Sequence, residues 1–322
     1  MNYRSLGSTG LCVSEIGFGA WGIGGRTAGH TSYGDTDDQT SLAALSCALD
    51  CGITFFDTSS AYGDGHSEHL IGQAFAGSRR ERVVIATKAG YESWGRAPDF
   101  SPAAIATSAE RSLVRLRSDY VDLFQLHNPP TEALRDHDLR ETLRRLQDEG
   151  KIRTWGVSAK SPADALQALD EFEAPVVQAN FNMMDVRAID SGLLQKAERR
   201  GVGFIGRTPL CFGFLSGAID RTTVFQPGDH RLGWSRAQLD KWIDGADDLL
   251  STVGAMPGRE GAQSALRFCL AFPAVSTVIP GILRASEAQE NATASELGPL
   301  PAEVVGAVLE VNRKRQFFVP RS

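Results

Sequence analysis

Eight short runs of β-branched or aromatic residues recur along this chain, each followed by a longer segment of helical period. They are Glu15–Gly19, Ile53–Asp57, Val83–Thr87, Val121–Leu126, Thr154–Ser158, Val176–Asn180, Val202–Gly206 and Ser276–Ile279. The runs are close to continuously apolar, as strands buried on both faces are. Strand–helix alternation of this kind predicts parallel strands joined by right-handed crossovers. Eight of them fit a closed (β/α)8 TIM barrel better than an open sheet. At about 150 residues per domain, 322 residues suggest two domains, but a barrel takes about 250 as one. The expectation is a single domain over 1–322, with a hairpin over 2–14, a barrel over about 15–295, and a C-terminal helix and tail over 296–322.

Local signals agree with this frame. Ser101-Pro102 and Ser161-Pro162 each pair a capping serine with proline at the first helical position. After the first pair, Ile105, Ala109, Leu113 and Leu116 would form one buried stripe. Gly52, Gly150 and Gly201 each follow a helical pattern and precede a strand, as left-handed caps do. Tyr3–Leu6 and Leu11–Ser14, joined by residues 7–10, read as a β-hairpin that would plug the barrel floor. Two long connections, 89–101 and 207–260, follow strands and so belong as long loops on the C-terminal face, where barrels keep their sites.

Composition removes several function classes. Thirty-three Lys and Arg against 39 Asp and Glu give a net charge of −6, which argues against a nucleic-acid partner or a polybasic membrane anchor. No window approaches the roughly 18 apolar residues of a membrane helix, and Met1-Asn2-Tyr3-Arg4 opens no signal peptide. Five cysteines without a CxxC pair read as free thiols in a reducing cytoplasm. The six histidines show no ligand spacing, so no metal site is expected and a metal-dependent hydrolase is poorly supported.

Side chains just past the strand ends of a barrel share its mouth. Asp57 ends the second run, Tyr62 follows it by five residues, Lys88 ends the third and His127 the fourth. Singly, each has an ordinary explanation: a turn cap, a packed ring, a solvated cation, a turn residue. Together they make a proton-donating unit for a carbonyl. A phenol is a poor acid at neutral pH, but an adjacent ammonium stabilises its phenolate and eases transfer to a developing alkoxide. Lys88 can supply that charge, Asp57 can hold Lys88, and His127 can orient the substrate oxygen. What this unit lacks is a reductant.

The segments Phe55-Phe56-Asp57-Thr58 with Ala61-Tyr62-Gly63, Ala86-Thr87-Lys88 and Gln125-Leu126-His127-Asn128-Pro129 resemble the signature of the aldo-keto reductases. So do Tyr3–Gly7, Val13–Gly22, Gly156-Val157-Ser158 and Gly217 after Pro209-Leu210, in the family's order from residue 3 to about 293. The resemblance implies a barrel that binds an extended nicotinamide cofactor across its C-terminal face and passes hydride to a carbonyl carbon. It implies Asp57, Tyr62, Lys88 and His127 as catalytic residues, with Tyr62 as acid. Gly17–Gly22 is glycine-rich but opens no helix after a strand, so a Rossmann site is rejected.

The same resemblance distributes the cofactor contacts. Gly19 and Trp21 follow the first strand. Ser158 and Gln178 stand where the family bonds the nicotinamide carboxamide, although Ala159 replaces a common asparagine. Arg207-Thr208-Pro209-Leu210 replaces a tyrosine-led sequence, and a guanidinium can stack on the nicotinamide in the ring's place. Gly213 and Leu215 belong to a loop over the pyrophosphate. Gly281, Leu283, Arg284, Glu287, Glu290 and Asn291 match the stretch that holds the adenosine end. Arg284 is displaced by one from a common phosphate-binding position, and Glu287 occupies another, where it would repel a 2′-phosphate. NADPH is favoured and NADH is the second choice.

Among the aromatics Trp21, Tyr91, Trp94, Phe181 and Trp234, the substrate is expected to meet Trp21 and Trp94 beside Tyr62 and His127, while packing alone would explain Phe181. The polar stretch His30–Asp38 could add donors and acceptors. The sequence thus reads as an NAD(P)H-dependent oxidoreductase that reduces an aldehyde, ketone or sugar to an alcohol, or runs the reverse oxidation. The small-molecule carbonyl or alcohol is its partner, and oligomeric state is open. The alternative is a nicotinamide-sensing binding subunit with little turnover, against which the intact tetrad speaks.

Overall fold

The computed structural model describes residues 1–27, 31–254 and 260–319. An antiparallel hairpin comes first, β1 (Tyr3–Ser5) and β2 (Cys12–Ser14), with Tyr3 opposite Ser14. Eight parallel strands follow: β3 (Phe18–Gly19), β4 (Phe55–Asp57), β5 (Val84–Ala89), β6 (Val121–His127), β7 (Ile152–Ser158), β8 (Val176–Asn180), β9 (Gly203–Arg207) and β10 (Val275–Ile279). They pair in chain order from β3 to β10. Backbone hydrogen bonds join the first to the last: Gly17 N–H to the Val278 carbonyl at 2.8 Å, Val278 N–H to that of Glu15 at 3.0 Å, and Gly19 N–H to that of Pro280 at 2.8 Å. Gly19 permits this closure, because a Cβ there would lie 2.9 Å from the Ile279 and Pro280 carbonyl oxygens. All eight expected runs are strands. Only the first is much shorter than its run, because Ile16 joins the ring by a lone bridge to Val278.

The helices are α1 (Asp38–Asp50), α2 (His66–Phe75), α3 (Pro102–Leu116), α4 (His137–Asp148), α5 (Pro162–Asp170), α6 (Arg187–Asp190), α7 (Leu193–Arg200), α8 (Arg236–Val253), α9 (Gly261–Leu270), α10 (Ala285–Leu297) and α11 (Ala302–Lys314). The expected caps are in place: Ser101 Oγ accepts from Ala104 N–H at 3.3 Å, and Ser161 Oγ from Asp164 N–H at 3.2 Å. In the stripe of α3, Ile105, Ala109 and Leu116 are buried.

The long connection after β9 is only partly a loop. It contains α8, which packs against α11, the helix of the C-terminal segment. Ser235 caps α8, and Trp242, Ala246 and Leu249 form its buried side. That period was present in the sequence, but no strand run announces the helix. Among the described residues, no helix is long and apolar enough to cross a membrane.

The hairpin does close the barrel floor. Leu6, Leu11 and Val13 share one apolar cluster with Phe55, Val84, Ala86, Leu123, Val176, Ile205 and Ile279, which come from six strands. Ser8 N–H donates to the Gly201 carbonyl at 2.7 Å and pins the turn beneath β9. Leu6 is fully buried, so Leu6→Ala should cost about 2–5 kcal/mol in urea unfolding, through lost transfer energy and a cavity. A change within about 0.5 kcal/mol, the range of surface substitutions, would mean that the hairpin is only loosely seated.

Candidate active site

The C-terminal ends of β4, β5 and β6 bring four of the expected residues together. Asp57 is the last residue of β4, Lys88 the penultimate residue of β5 and His127 the last of β6. Tyr62 opens a 3-10 turn over Tyr62–Gly65. That turn relies on Gly63, whose φ of +63° suits glycine and whose Cβ would collide with the carbonyl of Gly24.

The fully buried Lys88 uses all three of its N–H donors. Nζ donates to Asp57 Oδ2 at 2.5 Å, to the Thr58 carbonyl at 2.8 Å and to Tyr62 Oη at 3.2 Å. Burial alone pulls the pKa of the ammonium down, but the Asp57 carboxylate and the Tyr62 oxygen outweigh it, and the net shift is upward. Asp57 Oδ1 accepts from Gln178 Nε2 at 2.8 Å and from Gln125 Nε2 at 3.2 Å. Gln125 was not singled out from the sequence. Its signal was the two-residue period, which puts it on the same face of β6 as His127.

His127 is buried, with Nδ1 3.2 Å from Ser59 Oγ. The rings of Tyr62, Tyr91 and Trp94 stand steeply inclined to it, with centroids at 6.0, 5.6 and 5.3 Å. Burial, and then the charges of Lys88 and Arg207, hold its pKa well below the ordinary value. The imidazole is neutral at physiological pH.

A cavity of about 550 Å³ opens over this cluster. Gly19, Trp21, Asp57, Tyr62, Trp94, His127 and Gln178 border it. So do Arg207, Thr208, Pro209, Leu210 and Gly213 after β9, and Gly281, Leu283, Glu287, Glu290 and Asn291 after β10. Three of the expected cofactor residues do not. Ser158 stands behind the wall and donates to Gln178 Oε1 at 3.1 Å. Leu215 is fully buried among core residues, and Arg284 is exposed and does not border the cavity. Glu287 acts as a helix cap, with Oε2 accepting from Leu283 N–H at 2.6 Å and Arg284 N–H at 3.2 Å. Arg207 Nη2 donates to the Ala159 carbonyl at 2.9 Å, while its Nε finds no partner among the described residues. Phe181 belongs to the core, against Phe204, Phe268 and Phe272.

Tyr33, Phe212 and Arg231 also border the cavity; the first two lie in stretches marked in the sequence without being singled out, and Arg231 was missed, because the meeting of these loops is a tertiary event. Within the polar stretch, the Ser32 carbonyl accepts from His230 N–H at 2.8 Å and thereby joins the two loops; His30 lies outside the described residues. Asp229 grips Arg231 at 2.6 and 3.0 Å. His230 sits among Trp21, Tyr33 and Trp234, with centroids at 4.7, 4.9 and 4.9 Å. Burial lowers its pKa to about 4 against the Ser32 and Asp229 oxygens. Unfolded histidine binds a proton first as pH falls, so the stability held by neutral His230 is complete above pH 6.5 and is lost from there down to about pH 4. Denaturant midpoints measured across that window should fall, and His230→Phe should flatten the fall even where it lowers the midpoint at neutral pH. An equally steep profile in the variant would remove His230 from the explanation.

The model of the Aldo/keto reductase family matches residues 15–313. A probable voltage-gated potassium channel subunit beta from Arabidopsis thaliana is 31% identical over 324 residues, covering 95% of this chain and 94% of that protein. The NADH-specific methylglyoxal reductase of Escherichia coli is 32% identical over 257 residues, covering 74% and 77%. Among solved structures, the holo form of aldo-keto reductase AKR11C1 from Bacillus halodurans superposes with a TM-score of 0.79 at 26% identity, covering 99% and 98% of the two chains. With the barrel and the strand-end cluster in place, the match over nearly the whole chain means that this protein belongs to the aldo/keto reductase family of nicotinamide-dependent oxidoreductases.

Proposed function

We propose that the chain, one barrel domain working in the cytoplasm, reduces a small aldehyde, ketone or sugar to the alcohol, or runs the reverse oxidation. The observation that carries this reading is Lys88 Nζ shared between Asp57 Oδ2 at 2.5 Å and Tyr62 Oη at 3.2 Å at the border of a cavity. Bound NADPH would supply the hydride for the carbonyl carbon. Tyr62 gives its phenolic proton to the carbonyl oxygen, and the Lys88 ammonium stabilises the charge left on Oη. His127 donates a hydrogen bond to the same oxygen, and Trp21 and Trp94 confine the substrate.

The wall suits a nicotinamide nucleotide. Gln178 offers a carboxamide partner with Ser158 behind it, Arg207 offers a guanidinium with an unpartnered Nε, and glycines at 19, 213 and 281 let backbone approach a ligand closely. NADPH remains the favoured cofactor, by family default. Glu287, fixed at the cavity border, and Arg284, exposed and not bordering the cavity, support NADH as the second choice.

Loss of nicotinamide absorbance, followed over a panel of aldehydes, ketones and sugars with both cofactors, tests the activity. Tyr62→Phe should lower kcat by roughly 100-fold or more while the cofactor Kd stays unchanged. Undiminished turnover would remove Tyr62 as the acid. Glu287→Gln should move the NADPH-to-NADH ratio of kcat/KM toward NADPH by roughly three- to tenfold, by removing a like charge. The channel-subunit relative supports a second reading, a cofactor-sensing subunit. Tight cofactor binding with no turnover on the whole panel would favour it.

A further inference from the structure

Ser59 lies in the loop between β4 and Tyr62, fully buried, and no role follows for it from the proton relay. One side of its hydroxyl oxygen is occupied, because Ala61 N–H donates to Oγ at 3.3 Å. Its own proton has two acceptors in reach, His127 Nδ1 at 3.2 Å and the Lys88 carbonyl at 3.5 Å. The second lies at the long limit for an O–H donor. That carbonyl also accepts from Ser60 N–H at 3.2 Å and lies 3.0 Å from Ser60 Oγ. The imidazole nitrogen is both nearer and less engaged.

We propose that Ser59 is a positioning residue that donates to His127 Nδ1, fixing the imidazole as its Nε2–H tautomer and so presenting an N–H to the cavity. A neutral imidazole carries one N–H, and the nitrogen that holds it decides what the ring offers a carbonyl oxygen. With the proton on Nε2 the ring donates to that oxygen. With the proton on Nδ1 it turns a lone pair toward the oxygen and repels it. His127 borders the cavity, and Nδ1 is taken on the side of Ser59. Protonation of the ring would supply both donors at once, but burial and the nearby cations Lys88 and Arg207 oppose it. The tautomer therefore needs a neighbour to set it, and Ser59 is the side chain in place to do so. The consequence for turnover rests on the carbonyl-reductase reading; the tautomer itself does not.

Full-length protein carrying 15N-labelled histidine, observed by long-range proton–nitrogen correlation, reads the tautomer directly. His127 is assigned by the signals lost in His127→Gln. The expected result is a pyridine-type Nδ1 and a pyrrole-type Nε2 at neutral pH. In Ser59→Ala the two shifts should move toward each other, and kcat should fall by roughly 5- to 20-fold with the cofactor Kd unchanged, as for a lost buried hydrogen bond. Ser59→Thr keeps the hydroxyl and should restore both. A pyrrole-type Nδ1 in the unaltered protein, or nitrogen shifts that do not move in Ser59→Ala, would overturn the proposal. The nitrogen spectrum needs no turnover. The expected spectrum from a protein that reduces nothing would sink the reductase reading and leave this assignment standing.

Discussion

An ammonium buried without solvent is costly unless its charge and all its donors are satisfied, and the mouth of this barrel is organised around satisfying Lys88. Asp57 supplies the countercharge from the neighbouring strand. That carboxylate is itself buried, and its second oxygen takes two amide donors, Gln125 from β6 and Gln178 from β8. Gln178 in turn accepts from Ser158 on β7. Five consecutive strands thus contribute one polar side chain each to a single network that reaches the cavity border through the bond from Lys88 to the Tyr62 hydroxyl. Removing Asp57 would leave Lys88 with a buried, uncompensated charge, so the ion pair is a condition of the site's geometry.

This network explains why so much of the site was legible. A strand buried on both faces has few places for a polar residue, and Asp57, Lys88, His127 and Ser158 all stand at or beside strand ends, where apolar runs stop, whereas Gln178, in the middle of β8, was reached only through the family resemblance. Gln125 escaped notice because it lies inside a run, and only the two-residue period separates its face from that of its neighbours. Ser59 escaped for another reason: its partner is 68 positions away, and nothing in a loop serine announces which buried nitrogen it will meet. The fold was legible on the same physical grounds, since parallel strands and crossover helices each leave a local period. Helix α8 carried its own period but no strand run to announce it, and the junction of Ser32 with His230 depends on a contact between distant segments.

The cavity wall shows where residue-by-residue resemblance stops being enough. Ser158, Leu215 and Arg284 occupy positions that invite direct contact, yet one stands behind Gln178, one is in the core and one is exposed without bordering the cavity. Glu287 reads as a carboxylate aimed at a nucleotide, but it also closes the first turn of α10 through the N–H groups of Leu283 and Arg284. Its position is therefore set by helix capping, and its charge reaches the cavity as a by-product of that role.

Charge bookkeeping at the cavity follows from the same contacts. The net charge of −6 says little about it. Lys88 is matched by Asp57 and Arg231 by Asp229, so neither brings free positive charge to an incoming anion. Arg207 differs: among the described residues it makes no ion pair, and its one hydrogen bond goes to the neutral Ala159 carbonyl. Burial pulls the pKa of its guanidinium down, against the Tyr62 and Asp57 oxygens, but a guanidinium remains a cation in any such setting. Among the described residues, the cation that the wall leaves uncompensated is therefore Arg207, at the position where the resemblance would place an aromatic ring. A stacked ring would hold the nicotinamide by area alone. A guanidinium stacked there would draw on the cofactor's phosphates in both redox states alike, but would favour the uncharged reduced ring over the cationic oxidised one.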